Sequence, residues 1–95
     1  MDGVASLTSV RQGAARVVLI GKPACHLCEV ARAVVAQVCD RLGVDWVEQS
    51  IFDDPSLYDE YWERIPVTVV DGRIHAIWQV DPVALEQELG RQSSE

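Results

Sequence analysis

A chain of 95 residues has room for one domain with a modest core and for no second domain. Its hydrophobic fraction of 48% excludes general disorder, and its formal net charge of -7 disfavours a nucleic-acid backbone or an anionic membrane as partner. Three cysteines are too few, and too odd in number, for a secreted disulfide framework.

Residues 1–14 are small and polar without a sustained period and read as a flexible N-terminal arm. They precede a domain over residues 15–90, with 91–95 as a C-terminal tail. Residues 1–6 lack the basic region and apolar run of a signal peptide, and no run approaches the length of a transmembrane helix, so a cytoplasmic setting is expected. Val17-Val18-Leu19-Ile20 is wholly apolar, which predicts a strand over residues 16–20 buried on both faces. Ala31, Val34, Val35, Val38 and Leu42 recur at helical spacing and predict a helix over residues 24–42, stopped by Gly43. A second strand is predicted over residues 44–51, carrying Trp46 and Val47.

Asp54 then reads as an N-cap with Pro55 at the first helical position. Leu57, Tyr58, Tyr61 and Trp62 form the apolar face of that helix, which Ile65-Pro66 ends. Residues 67–70 and 73–78 are β-rich runs around Asp71-Gly72, a two-residue hairpin signal. Asp81-Pro82 starts a last helix with Leu85 and Leu89 one turn apart, and Gly90 as its stop. The order is β-α-β-α-β-β-α. Strands joined through a helix run parallel with a right-handed crossover, and the final hairpin is antiparallel. An α/β domain with a mixed four-stranded sheet flanked by helices follows.

Gly21-Lys22-Pro23-Ala24-Cys25-His26-Leu27-Cys28 joins the first strand to the first helix. The thiolate is the nucleophile of thiol–disulfide exchange, and a helix N-terminus favours it through unpaired N–H groups and the helix dipole. Cys25 holds that place, so it is the candidate attacking thiol. Cys28 falls one turn on and nearer the core, where it can resolve a mixed disulfide on Cys25. His26, when cationic, would stabilise the thiolate. A structural zinc site takes about four ligands. His26, Cys39 and His75 are further donors, but Cys39 lies about 16 Å along a straight helix from Cys28, so no metal site is expected within one chain.

Lys22-Pro23-Ala24-Cys25-His26-Leu27-Cys28, taken with Arg64-Ile65-Pro66-Val67-Thr68-Val69, resembles the glutaredoxin-like family of the thioredoxin superfamily over about residues 16–89. The resemblance implies a thioredoxin-like fold and a thiol–disulfide oxidoreductase with a redox-active Cys25-x-x-Cys28 disulfide. It also implies a cis Ile65–Pro66 bond beside the cysteines, with the Ile65 backbone free to pair with an extended substrate. Lys22 and Asp81 match positions that contact glutathione in the family, so glutathione is a candidate co-substrate, with no tightly bound cofactor. The chain departs from the family in carrying His26-Leu27 between the cysteines, and Trp78-Gln79-Val80-Asp81 where a Gly-Gly pair precedes the acidic residue. The implied partners are protein or low-molecular-weight disulfides and thiols. Two other readings stay open: a non-catalytic thioredoxin-fold binding module, and metal or iron–sulfur binding through Cys25 at a dimer interface.

Other residues have structural expectations. Cys39 reads as a small buried apolar residue and His75 as a solvent-facing strand residue. Tyr61 and Trp62 are expected to pack the second helix on the sheet. Trp46 and Trp78 fit either the core or an exposed patch for a protein partner.

Overall fold

The wholly apolar run becomes β1 (Val17–Gly21), buried at every position. The computed structural model describes residues 15–93, with side chains described through residue 90. The arm expected over residues 1–14, and residues 94–95 of the expected tail, lie outside the described residues. β1 sits inside a sheet of order β2-β1-β3-β4, where β2 is Trp46–Ser50, β3 is Val67–Val70 and β4 is Arg73–Ile77. β1 pairs parallel with β2 and antiparallel with β3, and β3 pairs antiparallel with β4. The inner strands β1 and β3 are buried throughout while the edge strands are partly exposed, which explains why only the inner pair read as near-continuous apolar runs.

Alternation along β1 sends Val17 and Leu19 to one face of the sheet and Val18 and Ile20 to the other. On the first face lie α1 (His26–Leu42) and α3 (Pro82–Ser93), through Ala31, Val35, Val38 and Cys39 and through Leu85 and Leu89. On the second lies α2 (Pro55–Tyr61), through Leu57 and Tyr61. The element order is the predicted one, with α2 started by Asp54, whose side chain accepts the Ser56 N–H at 2.7 Å. Asp71 and Gly72 both have positive φ, 51° and 84°, as a two-residue hairpin turn of this hand requires. The Arg16 guanidinium meets the Asp71 carboxylate through two bonds of 3.0 and 2.9 Å, tying the start of β1 to that turn.

Several boundaries differ from the expectation, each for a local reason. α1 starts at His26, because Ala24 turns left-handed (φ 55°) and Cys25 is an extended N-cap. β2 is shorter than expected, since Ser50 and Asp53 close a capping box around a 3-10 turn over Ile51–Asp53. β4 stops at Ile77 because Trp78 also turns left-handed, with φ 71°. α3 continues through Gly90 to Ser93; Gly90 does not take the left-handed conformation of a C-cap, and buried Leu89 holds that turn on the sheet. His75 is half-buried at a β-bulge beside Thr68 and Val69 rather than facing solvent. Cys39 is fully buried and Trp46 packs at the edge of the first cluster.

The apolar face of α2 is narrower than the sequence implied. Leu57 and Tyr61, four residues apart, meet the sheet. Tyr58 and Trp62 lie one position round the helix and point outward, so Trp62 does not pack α2 on the sheet. Truncating Tyr61 to alanine should therefore cost roughly 3 kcal/mol or more, as for other buried aromatic residues. Trp62→Ala should cost less than about 1 kcal/mol, as expected at a surface position. Urea denaturation of the two variants checks the difference.

Candidate active site

The chain leaves the buried end of β1, turns at Pro23-Ala24 and enters α1 at Cys25. The left-handed conformation of Ala24 costs roughly 1–2 kcal/mol for a residue with a side chain, and it aims Cys25 at the helix N-terminus. There the Cys25 sulfur accepts the backbone N–H of Cys28 at 3.2 Å, as a capping side chain does. Cys25 is half-buried and Cys28 fully buried, so the two sulfurs occupy unequal environments one helical turn apart.

What makes room for Cys28 is Gly21. A Cβ on Gly21 would stand 2.9 Å from the Cys28 sulfur and 3.2 Å from its Cβ, so the thiol packs against bare backbone. Burial pushes the Cys28 thiol up from 9.0 to about 11, and its hydrogen bond with Cys25 adds to the rise. The Lys22 backbone N–H and the Arg32 guanidinium pull the other way. Arg32, four residues beyond Cys28, is itself held by a two-bond contact with Glu48 of β2, at 2.9 and 2.7 Å. Cys39 is likewise pushed up to about 11, mainly by burial.

The loop before β3 carries the second motif. The Ile65–Pro66 peptide is cis, Pro66 is buried, and its carbonyl accepts the Trp78 N–H at 2.7 Å. Leu27 of α1, Ile65, Ile77, Trp78 and Gln79 together line an open hollow of about 420 Å³. Leu27, two residues after Cys25, is where this hollow adjoins α1.

Of the candidate site residues, Cys25, His26 and Cys28 share the start of α1, and Ile65 reaches the hollow walled by the adjoining Leu27. His26 is the first helical residue and is exposed. Lys22 and Asp81 border different hollows. Lys22 faces one with Arg32, Glu48, Ser50 and Asp53, whereas Asp81 lies beside Leu27, Val30 and Trp78. One Asp81 carboxylate oxygen accepts the Ala84 N–H at 2.8 Å and so caps the start of α3. Gly21, Leu27 and Trp78 were not singled out as site residues by sequence. Gly21 is the one with a readable signal, a glycine at the joint of a buried strand and a cysteine pair. Among the described residues no group of three or more His, Cys, Asp or Glu side chains could hold a metal ion.

A family model described as Glutaredoxin-like domain (DUF836) matches residues 16–90. The chain belongs to this glutaredoxin-like family. An uncharacterized protein of Mycobacterium tuberculosis is 28% identical over 81 residues, covering 80% of this chain and 84% of that protein. A structural genomics target protein from X. campestris, solved by X-ray, is 27% identical with a TM-score of 0.65, covering 79% of this chain and 96% of that one. A glutaredoxin from Archaeoglobus fulgidus shares the fold, with a TM-score of 0.52 and 18% identity over 82% of this chain and 89% of that one. The glutaredoxin-like chain thus has a thioredoxin-like α/β fold carrying a Cys25-x-x-Cys28 pair, as the two sequence motifs implied. Among the described residues, no helix is long and apolar enough to cross a membrane.

Two outcomes follow from this glutaredoxin-like packing. Gly21→Ala should lower stability by roughly 1–3 kcal/mol, the usual cost of overfilling a packed site, and should displace the Cys28 sulfur; chemical denaturation and cysteine side-chain NMR shifts check both. The raised thiol values also set a pH dependence. Buried Cys28 and Cys39 hold their protons up to about pH 11, while the unfolded chain loses them above about 9.0. Their contribution is fully present below pH 9.0 and is lost as pH rises to about 11. Thermal melts over that window should show falling stability, with a shallower fall in Cys39→Ala.

Proposed function

We propose that this protein is a dithiol–disulfide oxidoreductase in which Cys25 attacks and Cys28 resolves. The observation that carries the reading is the unequal thiol pair: a half-exposed Cys25 capping α1, and a buried Cys28 whose N–H points at the Cys25 sulfur from 3.2 Å. In the reducing direction, the Cys25 thiolate attacks one sulfur of a substrate disulfide. The substrate S–S bond breaks, its other sulfur leaves as a thiolate that takes a proton from solvent, and a mixed disulfide remains on Cys25. Cys28 then gives up its proton and attacks the Cys25 sulfur, which releases the second substrate thiolate. The substrate has gained two electrons and two protons, and the protein holds a Cys25–Cys28 disulfide. An external dithiol, or two molecules of a thiol such as glutathione, returns it to the reduced form.

The surroundings support those roles. N–H groups at the start of a helix favour negative charge on a sulfur beside them, which is what the attacking group needs. Burial keeps Cys28 protonated until a mixed disulfide forms next to it. Ile65, before the cis bond, offers backbone to an extended substrate, and the hollow it shares with Leu27 and Trp78 has room for one of that substrate's side chains. His26, exposed at the start of α1, and Lys22, three residues before Cys25, are available for polar contacts with substrate, whereas Asp81 caps α3. Three free cysteines suit a reducing cytoplasmic compartment.

Timed alkylation of the reduced protein at pH 8, read by peptide mass spectrometry, should label Cys25 roughly tenfold or more ahead of Cys28 and Cys39, whose thiols are buried. Cys25→Ser should abolish turnover of a model disulfide, and Cys28→Ser should accumulate the mixed disulfide. Equal labelling of all three cysteines, or turnover that survives Cys25→Ser, would contradict the proposal.

A further inference from the structure

Phe52, Tyr58 and Trp62 are 64%, 41% and 50% exposed, yet they are set in order against one another. The Phe52 and Tyr58 ring centroids are 5.9 Å apart, and the Tyr58 and Trp62 rings stack at 6.2 Å with 8° between their planes. The fold does not use this stack for its core, because Leu57 and Tyr61 already seat α2 on the sheet. Asp59 comes next around α2 from Trp62, and Glu63 follows Trp62 in the turn that ends the helix. Between residues 51 and 65 the chain carries Asp53, Asp54, Asp59, Glu60 and Glu63 against a single cation, Arg64. Among the described residues, Asp59, Glu60 and Glu63 take part in no ion pair.

An aromatic shelf fringed by unpaired carboxylates has a definite complement. Arginine and lysine side chains lay hydrocarbon stems or a guanidinium plane on the rings and present their charge to the acids. A second copy of this chain, with a net charge of -7, is disfavoured by like-charge repulsion. The shelf also adjoins the hollow that Leu27 of α1 lines. Trp62 is followed by Glu63, whose carbonyl accepts the Trp78 indole N–H at 3.4 Å, and Trp78 walls the hollow shared by Leu27 and Ile65.

We propose that the surface formed by Phe52, Tyr58 and Trp62 with Asp59 and Glu63, on and beside the outer face of α2, docks an arginine- or lysine-rich segment of the protein substrate whose disulfide is exchanged at Cys25. The identity of that partner as a redox substrate rests on the proposed function; binding of the basic segment does not. Such docking would select basic protein substrates over small disulfides without altering the exchange chemistry.

The test is calorimetric titration of the full, reduced protein with a cysteine-free, lysine-rich peptide bearing one central leucine, and with its counterpart carrying glutamate for lysine. The basic peptide should bind at least about tenfold more tightly. Trp62→Ala and Glu63→Gln should each weaken it roughly fivefold, the size of a surface cation–π or charge contact. Asp45→Asn removes the same charge just before β2, at the sheet end away from the cysteines, and should leave binding unchanged. Equal binding of the two peptides, no binding of either, or equal losses in Asp45→Asn and Glu63→Gln would overturn the proposal. A dimer that Trp62→Ala disperses in sedimentation would also overturn it, by placing a second copy on this face. Reduction of hydroxyethyl disulfide should be the same in the wild type and all three variants. If the wild type cannot reduce it, the redox reading fails, and the peptide titration still decides the docking surface.

Discussion

The thiol of Cys28 lies against the bare backbone of Gly21, so close that a methyl group there would stand 2.9 Å from the sulfur. The rest of the site depends on that contact. Gly21 closes β1, a strand buried on both faces and hydrogen-bonded on both edges, so its position is fixed by the whole core. Seating Cys28 on it pins the first turn of α1, and the pinned turn puts the Cys25 sulfur in line with the N–H of Cys28. The strained backbone of Ala24 is the local cost of bringing the chain into that helix within a few residues.

Two sulfurs of one residue type thereby acquire different properties. Cys25 is half-exposed at a helix terminus, and Cys28 is enclosed, with its thiol pushed up to about 11 by burial. In the proposed function, chemistry and recognition fall to different parts of the molecule around them. Ile65, packed on the α2 side of the sheet, and Leu27 of α1 on the other side meet with Trp78 around one hollow. Farther out, α2 presents aromatic rings and carboxylates that the core does not need. A domain too small for a second core can still divide these tasks, since the sheet holds each element at a fixed register.

Much of the fold is legible in the sequence because its strongest signals are local. Four apolar residues before a glycine identify the inner strand, Asp54-Pro55 the start of α2, and Asp71-Gly72 the hairpin. What escapes is set by contacts across the chain or by single dihedrals. Nothing local separates Tyr61 from Trp62; the geometry of a two-turn helix on the sheet decides which is buried. Trp78 looks like the end of a strand, but its left-handed turn makes it a wall of the hollow. Gly90 looks like a stop, but Leu89 beside it is anchored in the core. At the site, the cysteine pair and Pro66 are readable as motifs. The separation of Lys22 from Asp81 is not, because it depends on which hollow each borders.

In the proposed function Cys25 and Cys28 form one reversible dithiol couple while Cys39 stays out of it. Equilibrating the protein in thiol–disulfide buffers over a range of potentials, then quenching and mapping each cysteine by mass spectrometry, tests this most directly. A single two-electron Nernst curve is expected, with an intramolecular Cys25–Cys28 disulfide at its oxidised end and Cys39 a free thiol throughout. A protein whose Cys25 and Cys28 remain thiols at every potential, or whose oxidised form is bridged through Cys39, would contradict it.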